Sequence, residues 1–332
     1  MPLLRVNATP QGLQLHDRPG VAETALETQP ITAGPVIIMV HGYKYAPGDA
    51  NHCPHEKIFR SDSGNWPQNL GFGRENPAEG LGIAFGWYAR GSLWQAHARA
   101  SKLGERLAKV IAVLRRRAPE RPVHVIAHSL GSEIALSALP HLAPHQLNRM
   151  VLLTGASFSS RARAMLRTPA GLTTEVLNVT SRENDLFDMA FERMVTPPVP
   201  RDVAIGQGID LPNVTTVQLD CPETLTVLQK LDLPVAPPER RVCHWSTYLR
   251  PGAMALYARL LRDSDALSPR ALGRMLPNTN APRWSRFKRP ASSWSAAAAP
   301  AVTLPALPLA LRLKNRIMAP SSAQGKHNEH AY

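Results

Sequence analysis

The strongest constraint in this chain is a set of short apolar runs: Val36–Val40 (VIIMV), Gly82–Phe85 (GIAF), Val123–Ala127 (VHVIA), Met150–Leu153 (MVLL), Val176–Val179 (VLNV) and Val214–Leu219 (VTTVQL). A strand with one wet face alternates apolar and polar residues, whereas continuous runs like these suit strands covered on both faces. Helical patterns lie between them. Over Ser92 to Arg117, Leu93, Ala96, Ala100, Leu103, Leu107, Val110 and Leu114 recur at three- and four-residue steps and form one apolar stripe. Pro119 cannot continue that helix. Further helices are expected over 132–139, 158–166, 186–194 and 252–261. Strands alternating with helices predict an α/β fold, a mainly parallel central sheet flanked by helices. Residues 1–34 alternate weakly between turn signals and read as one or two short edge strands.

The 332 residues carry 38 Lys plus Arg against 25 Asp plus Glu, a net charge of +13. Much of the excess lies after Leu276, where eight basic residues (Arg283, Arg286, Lys288, Arg289, Arg312, Lys314, Arg316, Lys326) face one acid, Glu329. The remaining +6 is ordinary for a folded domain, so the charge is no nucleic-acid footprint. The same stretch is rich in Pro, Ala and Ser and is expected to be disordered. The expected organisation is therefore one domain over 1–276 and a basic tail over 277–332. A weak membrane-surface contact through 306–318 (ALPLALRLKNRIM) is the alternative to a solvated extension. Within the domain, 44–79 has no sustained period and is expected to be a lid-like insertion. The longest run made only of Val, Ile, Leu and Met is Val36–Val40, far below the ~20 residues that span a bilayer. Pro2, Arg5, Asn7 and Pro10 break any apolar signal core, so a cytoplasmic protein is expected. Cys53, Cys221 and Cys243 show no paired spacing, which argues against a disulfide framework.

The chemistry concentrates in Val123-His-Val-Ile-Ala-His-Ser-Leu-Gly-Ser132, an apolar strand running through small-His-Ser-x-Gly into a helix. The small residues two before and two after Ser129, Ala127 and Gly131, let neighbouring backbone approach a sharp turn that presents a strained serine. With the strand ending His41-Gly42 upstream, this pattern resembles the nucleophile elbow of the α/β-hydrolase superfamily, over roughly residues 30–265. Alanine at 127 departs from the usual glycine but is small enough to fit.

The resemblance implies Ser129 as nucleophile, followed in chain order by an acid and a histidine at later strand ends. Asp185, in Ser181-Arg-Glu-Asn-Asp185, and His244 are the candidates; Glu183 and Asp188 compete with Asp185, and any of the three could instead favour a helix N-terminus. The implied oxyanion donors are the backbone N–H groups of Leu130 and Tyr43, beside Gly42. His128 is expected to pack or line the pocket, and His41 to make structural hydrogen bonds around the oxyanion loop. Trp87 and Tyr88 follow a strand on the same edge and are expected at the pocket. The cluster His52-Cys53-Pro54-His55-Glu56 lacks metal-site spacing and reads as a polar loop. No metal, organic cofactor or nucleotide is implied.

The expectation is a serine hydrolase cleaving a small-molecule carboxylic ester through a Ser129 acyl-enzyme. The same residues would serve a thioesterase or acyltransferase, and a catalytically silent protein of this fold that binds a ligand is the alternative from another class.

Overall fold

The computed structural model describes residues 3–60, 64–74, 76, 78–263, 267–277 and 280–287. The strands are β1 (Leu3–Thr9), β2 (Gly12–Leu15), β3 (Val36–Val40), β4 (Leu81–Trp87), β5 (Val123–His128), β6 (Arg149–Leu153), β7 (Glu175–Thr180) and β8 (Val214–Gln218). They form one sheet in the order β2-β1-β4-β3-β5-β6-β7-β8. Every neighbouring pair is parallel except β1 with β2, which form an antiparallel hairpin at one edge. The helices are α1 (Ala22–Thr28), α2 (Pro54–Lys57), α3 (Trp66–Asn69), α4 (Leu93–Arg117), α5 (Gly131–Ala138), α6 (Ser159–Leu166), α7 (Pro169–Thr173), α8 (Asp185–Met194), α9 (Pro222–Lys230), α10 (Ser246–Leu249), α11 (Ala253–Arg262) and α12 (Pro269–Met275).

The apolar runs are explained by burial on two faces. In β3, Val36, Ile38 and Val40 join the core with Ala96, Ala100, Leu107 and Ile134, whereas Ile37 and Met39 face a second core with Phe59, Phe72, Tyr257 and Leu260. Helix α4 starts at a capping box: Ser92 Oγ accepts the Gln95 N–H and Gln95 Oε1 accepts the Ser92 N–H. Its small residues let it lie close to α5, since a Cβ at Gly104 would stand 2.3 Å from the Ser137 carbonyl oxygen. That close packing sets α5 firmly behind the end of β5.

Two expectations are corrected. The insertion 44–79 is not simply a cover over the site: Phe59, Trp66, Leu70 and Phe72 are buried in the second core. Each such side chain contributes roughly 1.5–3 kcal/mol by leaving water, so this segment packs down as a core layer. The ordered chain also runs past 276. Arg283 makes a bidentate ion pair with Glu192 of α8 at 3.2 and 2.9 Å, and the Trp284 N–H donates to Asp185 Oδ2 at 2.6 Å. Residues 288–332, including the 306–318 segment, lie outside the described residues. No helix among the described residues is long and apolar enough to cross a membrane.

Candidate active site

Ser129 occupies the turn between β5 and α5 with φ at 54°, a left-handed conformation that costs a non-glycine residue energy and persists only when its surroundings impose it. Those surroundings are visible. The Ser129 N–H donates to the Leu153 carbonyl at 3.0 Å, and its own carbonyl accepts the N–H groups of Ser132 and Ala156, each at 3.0 Å. Gly131 is required because a Cβ there would lie 2.6 Å from the His41 carbonyl oxygen; a Cβ on Gly42 would lie 2.7 Å from that of Ser129. Two glycines thus let the loop after β3 touch the elbow. Ala127 is fully buried in the same tight region.

His41 orients that loop. Its Nε2 accepts the Trp87 N–H at 3.0 Å, so the ring proton sits on Nδ1 and donates to the Gly42 carbonyl at 2.8 Å. The Gly42 C=O and the Tyr43 N–H belong to one planar peptide and point in opposite directions. Holding the carbonyl therefore turns the Tyr43 N–H the other way. Neither the Tyr43 N–H nor the Leu130 N–H is taken by a backbone hydrogen bond among the described residues. Burial pushes His41 down to about 3, which keeps the ring neutral and this arrangement fixed.

The His244 loop is tied to the same end of the sheet. The His244 carbonyl accepts from His128 Nε2 and from Thr154 Oγ1, each at 3.2 Å, and Thr154 follows β6 directly. The His128 and His244 rings are 4.6 Å apart. His128, buried and pushed down to about 4, is thus neutral and anchors the loop through its backbone. The Cys243 N–H donates to the Glu183 carbonyl at 3.0 Å, linking this loop to the turn after β7. Burial first, and His128 second, push His244 well below the usual histidine value. Among the described residues the Ser129 hydroxyl makes no hydrogen bond to the His244 ring.

The partner of His244 is not an acid. Its Nδ1 lies 2.6 Å from Asn184 Oδ1, and Asn184 Nδ2 donates to Asp188 Oδ1 at 2.8 Å. Asp185 is engaged elsewhere, with Arg182 at 3.3 Å and with the Trp284 N–H. Glu183 is held by Arg250 and by Ser181 Oγ. The sequence reading missed Asn184 because it sought a carboxylate; the signal available was an Asn-x-x-x-Asp pair four residues apart where a strand gives way to a helix.

The aromatic expectations divide. Trp87 is fully buried rather than at a pocket: its ring stacks on His41 with centroids 5.6 Å apart and its Nε1–H donates to the His41 carbonyl. Tyr88 is exposed, with the Arg99 guanidinium 5.1 Å from its ring centre. Aromatics beside the site include Phe187, stacked on His244 at 4.7 Å, and Trp245, both more than a third exposed, and Tyr248, whose ring centre is 5.0 Å from that of His128. In the His52–Glu56 stretch the two imidazoles have different partners, Asp49 for His52 and Asn7 for His55.

Residues 21–179 match the model of a family described as "Alpha/beta hydrolase of unknown function (DUF900)". This match is less than half the chain and ends within β7, before Asn184 and His244. A search of curated proteins gives no match. Similar solved structures include the product of the gene lin2722 from Listeria innocua, 11% identical over 71% of this chain and 95% of that one, with a TM-score of 0.36. Another is the metagenomic carboxyl esterase MGS0156, 16% identical over 82% of this chain and 81% of that one, with a TM-score of 0.30. Likenesses this distant carry no argument about function. The strand order, the strained serine between β5 and α5, and the family match through that segment give this chain the α/β-hydrolase fold.

Proposed function

We propose that the protein is a serine hydrolase that cleaves a carboxylic ester, with Ser129 as nucleophile, His244 as general base and Asn184 as the residue that holds the imidazole. The observation that carries this reading is Ser129 held at φ 54° at the end of a buried central strand, with the His244 loop anchored to the adjoining strand ends. In the first step His244 Nε2 takes the Ser129 proton as Oγ attacks the carbonyl carbon. The tetrahedral oxyanion forms in reach of the Leu130 and Tyr43 N–H groups, the alcohol leaves with the proton returned by His244, and water releases the acid by the reverse sequence. Catalytic hydrogen bonds are often long in free enzymes and tighten in the complex, which fits the unmade Ser129–His244 bond.

An asparagine in the third position accepts the Nδ1–H and fixes the tautomer, as a carboxylate would, but supplies no full charge to the imidazolium. The site is therefore expected to be slower than one with aspartate there. Exposed Phe187 and Trp245 flank the His244 ring with apolar surface, which favours esters with an apolar acyl or alcohol part.

The test is labelling by a fluorophosphonate probe together with p-nitrophenyl esters of increasing chain length. Ser129→Ala should abolish labelling and turnover, and turnover should rise with acyl length before steric limits set in. Folded wild-type protein that neither labels nor turns over any ester would favour the silent binding protein, a reading to which the unmade Ser129–His244 bond also lends weight.

A further inference from the structure

An amide has a donor end and an acceptor end, and by itself Asn184 could present either to His244. Presenting Nδ2 would demand a bare Nδ1 and move the ring proton to Nε2, where a base would be useless. The choice is made one helical turn further on. Asn184 precedes α8 and Asp188 lies within its first turn, so the two side chains share one face. An ionised carboxylate only accepts hydrogen bonds, so Asp188 Oδ1, 2.8 Å from Asn184 Nδ2, obliges the amide to turn Oδ1 toward His244. The fold makes room for this: a Cβ at Gly206 would stand 2.0 Å from Asp188 Oδ2.

We propose that Asp188 is a positioning residue of the active site, fixing the Asn184 amide so that His244 keeps its proton on Nδ1 and its lone pair on Nε2. This rests on the serine-hydrolase reading above. The charged groups facing Asp188 are Arg182 from the preceding turn, Asp185 and Glu192 from α8, and Arg283 from the C-terminal segment. Burial, opposed by the two arginines, pushes the carboxyl up to about 7, so the comparison belongs at pH 8, where the group is ionised.

Three full-length proteins separate this role from a merely structural one: wild type, Asp188→Asn, and the swap Asn184→Asp/Asp188→Asn. In the single variant an amide at position 188 can donate to Asn184 Oδ1, which turns Nδ2 toward His244 and favours the wrong tautomer. Loss of the correct tautomer in a Ser-His-Asp enzyme costs about 10⁴-fold in kcat. Here a loss of about 10²-fold or more is expected in kcat, with KM little changed. The swap returns an acceptor to Nδ1 and should recover kcat to within about tenfold of wild type. Nitrogen-15 chemical shifts of His244 should report a protonated Nδ1 in wild type and swap, and a protonated Nε2 in Asp188→Asn. Wild-type kcat in a folded Asp188→Asn protein, or equal loss in single variant and swap, would overturn the proposal. Failure of wild type to label at Ser129 would instead defeat the hydrolase reading, while the tautomer measurement would still show whether Asp188 governs His244.

Discussion

His244 Nδ1 meets the side-chain oxygen of Asn184 at 2.6 Å, while the aspartate one position later turns away to Arg182 and the Trp284 N–H. The imidazole is therefore held by a neutral acceptor.

Replacing that acceptor by a carboxylate should be visible in the pH profile. His244 now lies well below the usual histidine value because of burial and His128. In Asn184→Asp a carboxylate beside Nδ1 favours the imidazolium and raises the ring. Since only the neutral ring accepts the Ser129 proton, the acidic limb of kcat/KM should move to higher pH than in wild type. An unmoved limb would show that His244 is not the titrating base.

Asp188 should cost stability at alkaline pH. Its folded value, about 7, lies above the unfolded value of 3.8, so the folded state binds the extra proton between these limits. Stability from this group is full below the unfolded value and is lost as the pH rises through 7, by about 4 kcal/mol at most. Asp188→Asn should thus match wild type near pH 4 and exceed it at pH 8 in urea unfolding, even as turnover falls.

Gly206 has no room for a side chain beside that carboxylate. In Gly206→Ala the methyl displaces Asp188, and overpacking of this kind costs about 1–3 kcal/mol. Turnover should drop together with the melting temperature, whereas Gly208→Ala, where a methyl would make only ordinary contact with Thr216 at 3.7 Å, should show only the strain of its positive φ.

His41→Ala frees the Gly42 carbonyl and leaves the buried Trp87 N–H without its acceptor. An orphaned donor costs about 1–3 kcal/mol, and a lost oxyanion donor about 10²–10³ in rate. A folded variant with unchanged kcat would remove the Tyr43 N–H from the oxyanion site.

Truncation should discriminate between two ends only eleven residues apart. A chain stopped after Phe287 retains the Arg283–Glu192 pair and the Trp284–Asp185 bond, and should label as fast as the full chain. Stopping after Leu276 removes both ties to α8, which bears on Asn184, and should lower labelling and melting temperature together.

Much of the architecture was legible because it follows from local chemistry. A run such as Val36–Val40 has no polar face to offer water, so it must be covered on both sides, and six such runs separated by helices leave little but a parallel sheet. The elbow was legible for the same reason: Gly131, Ser129 and Ala127 are the residues a strained turn between a buried strand and a helix demands. Trp87 was misplaced because an aromatic after a strand is equally suited to a pocket wall and to a core, and only the stacking on His41 decides between them.

What the sequence determined by itself was the sheet, the elbow and the identity of Ser129 and His244 as candidates, since each depends on residues close together along the chain. The third partner was decided only by tertiary structure. Successive residues entering a helix diverge by about 100° around its axis, so Asn184 and Asp185 cannot face the same group. Which of them reaches His244 is set by contacts distant in sequence, Trp284 joining the local Arg182 in drawing Asp185 one way while Gly206 leaves the room in which Asp188, one turn on, seats Asn184 the other.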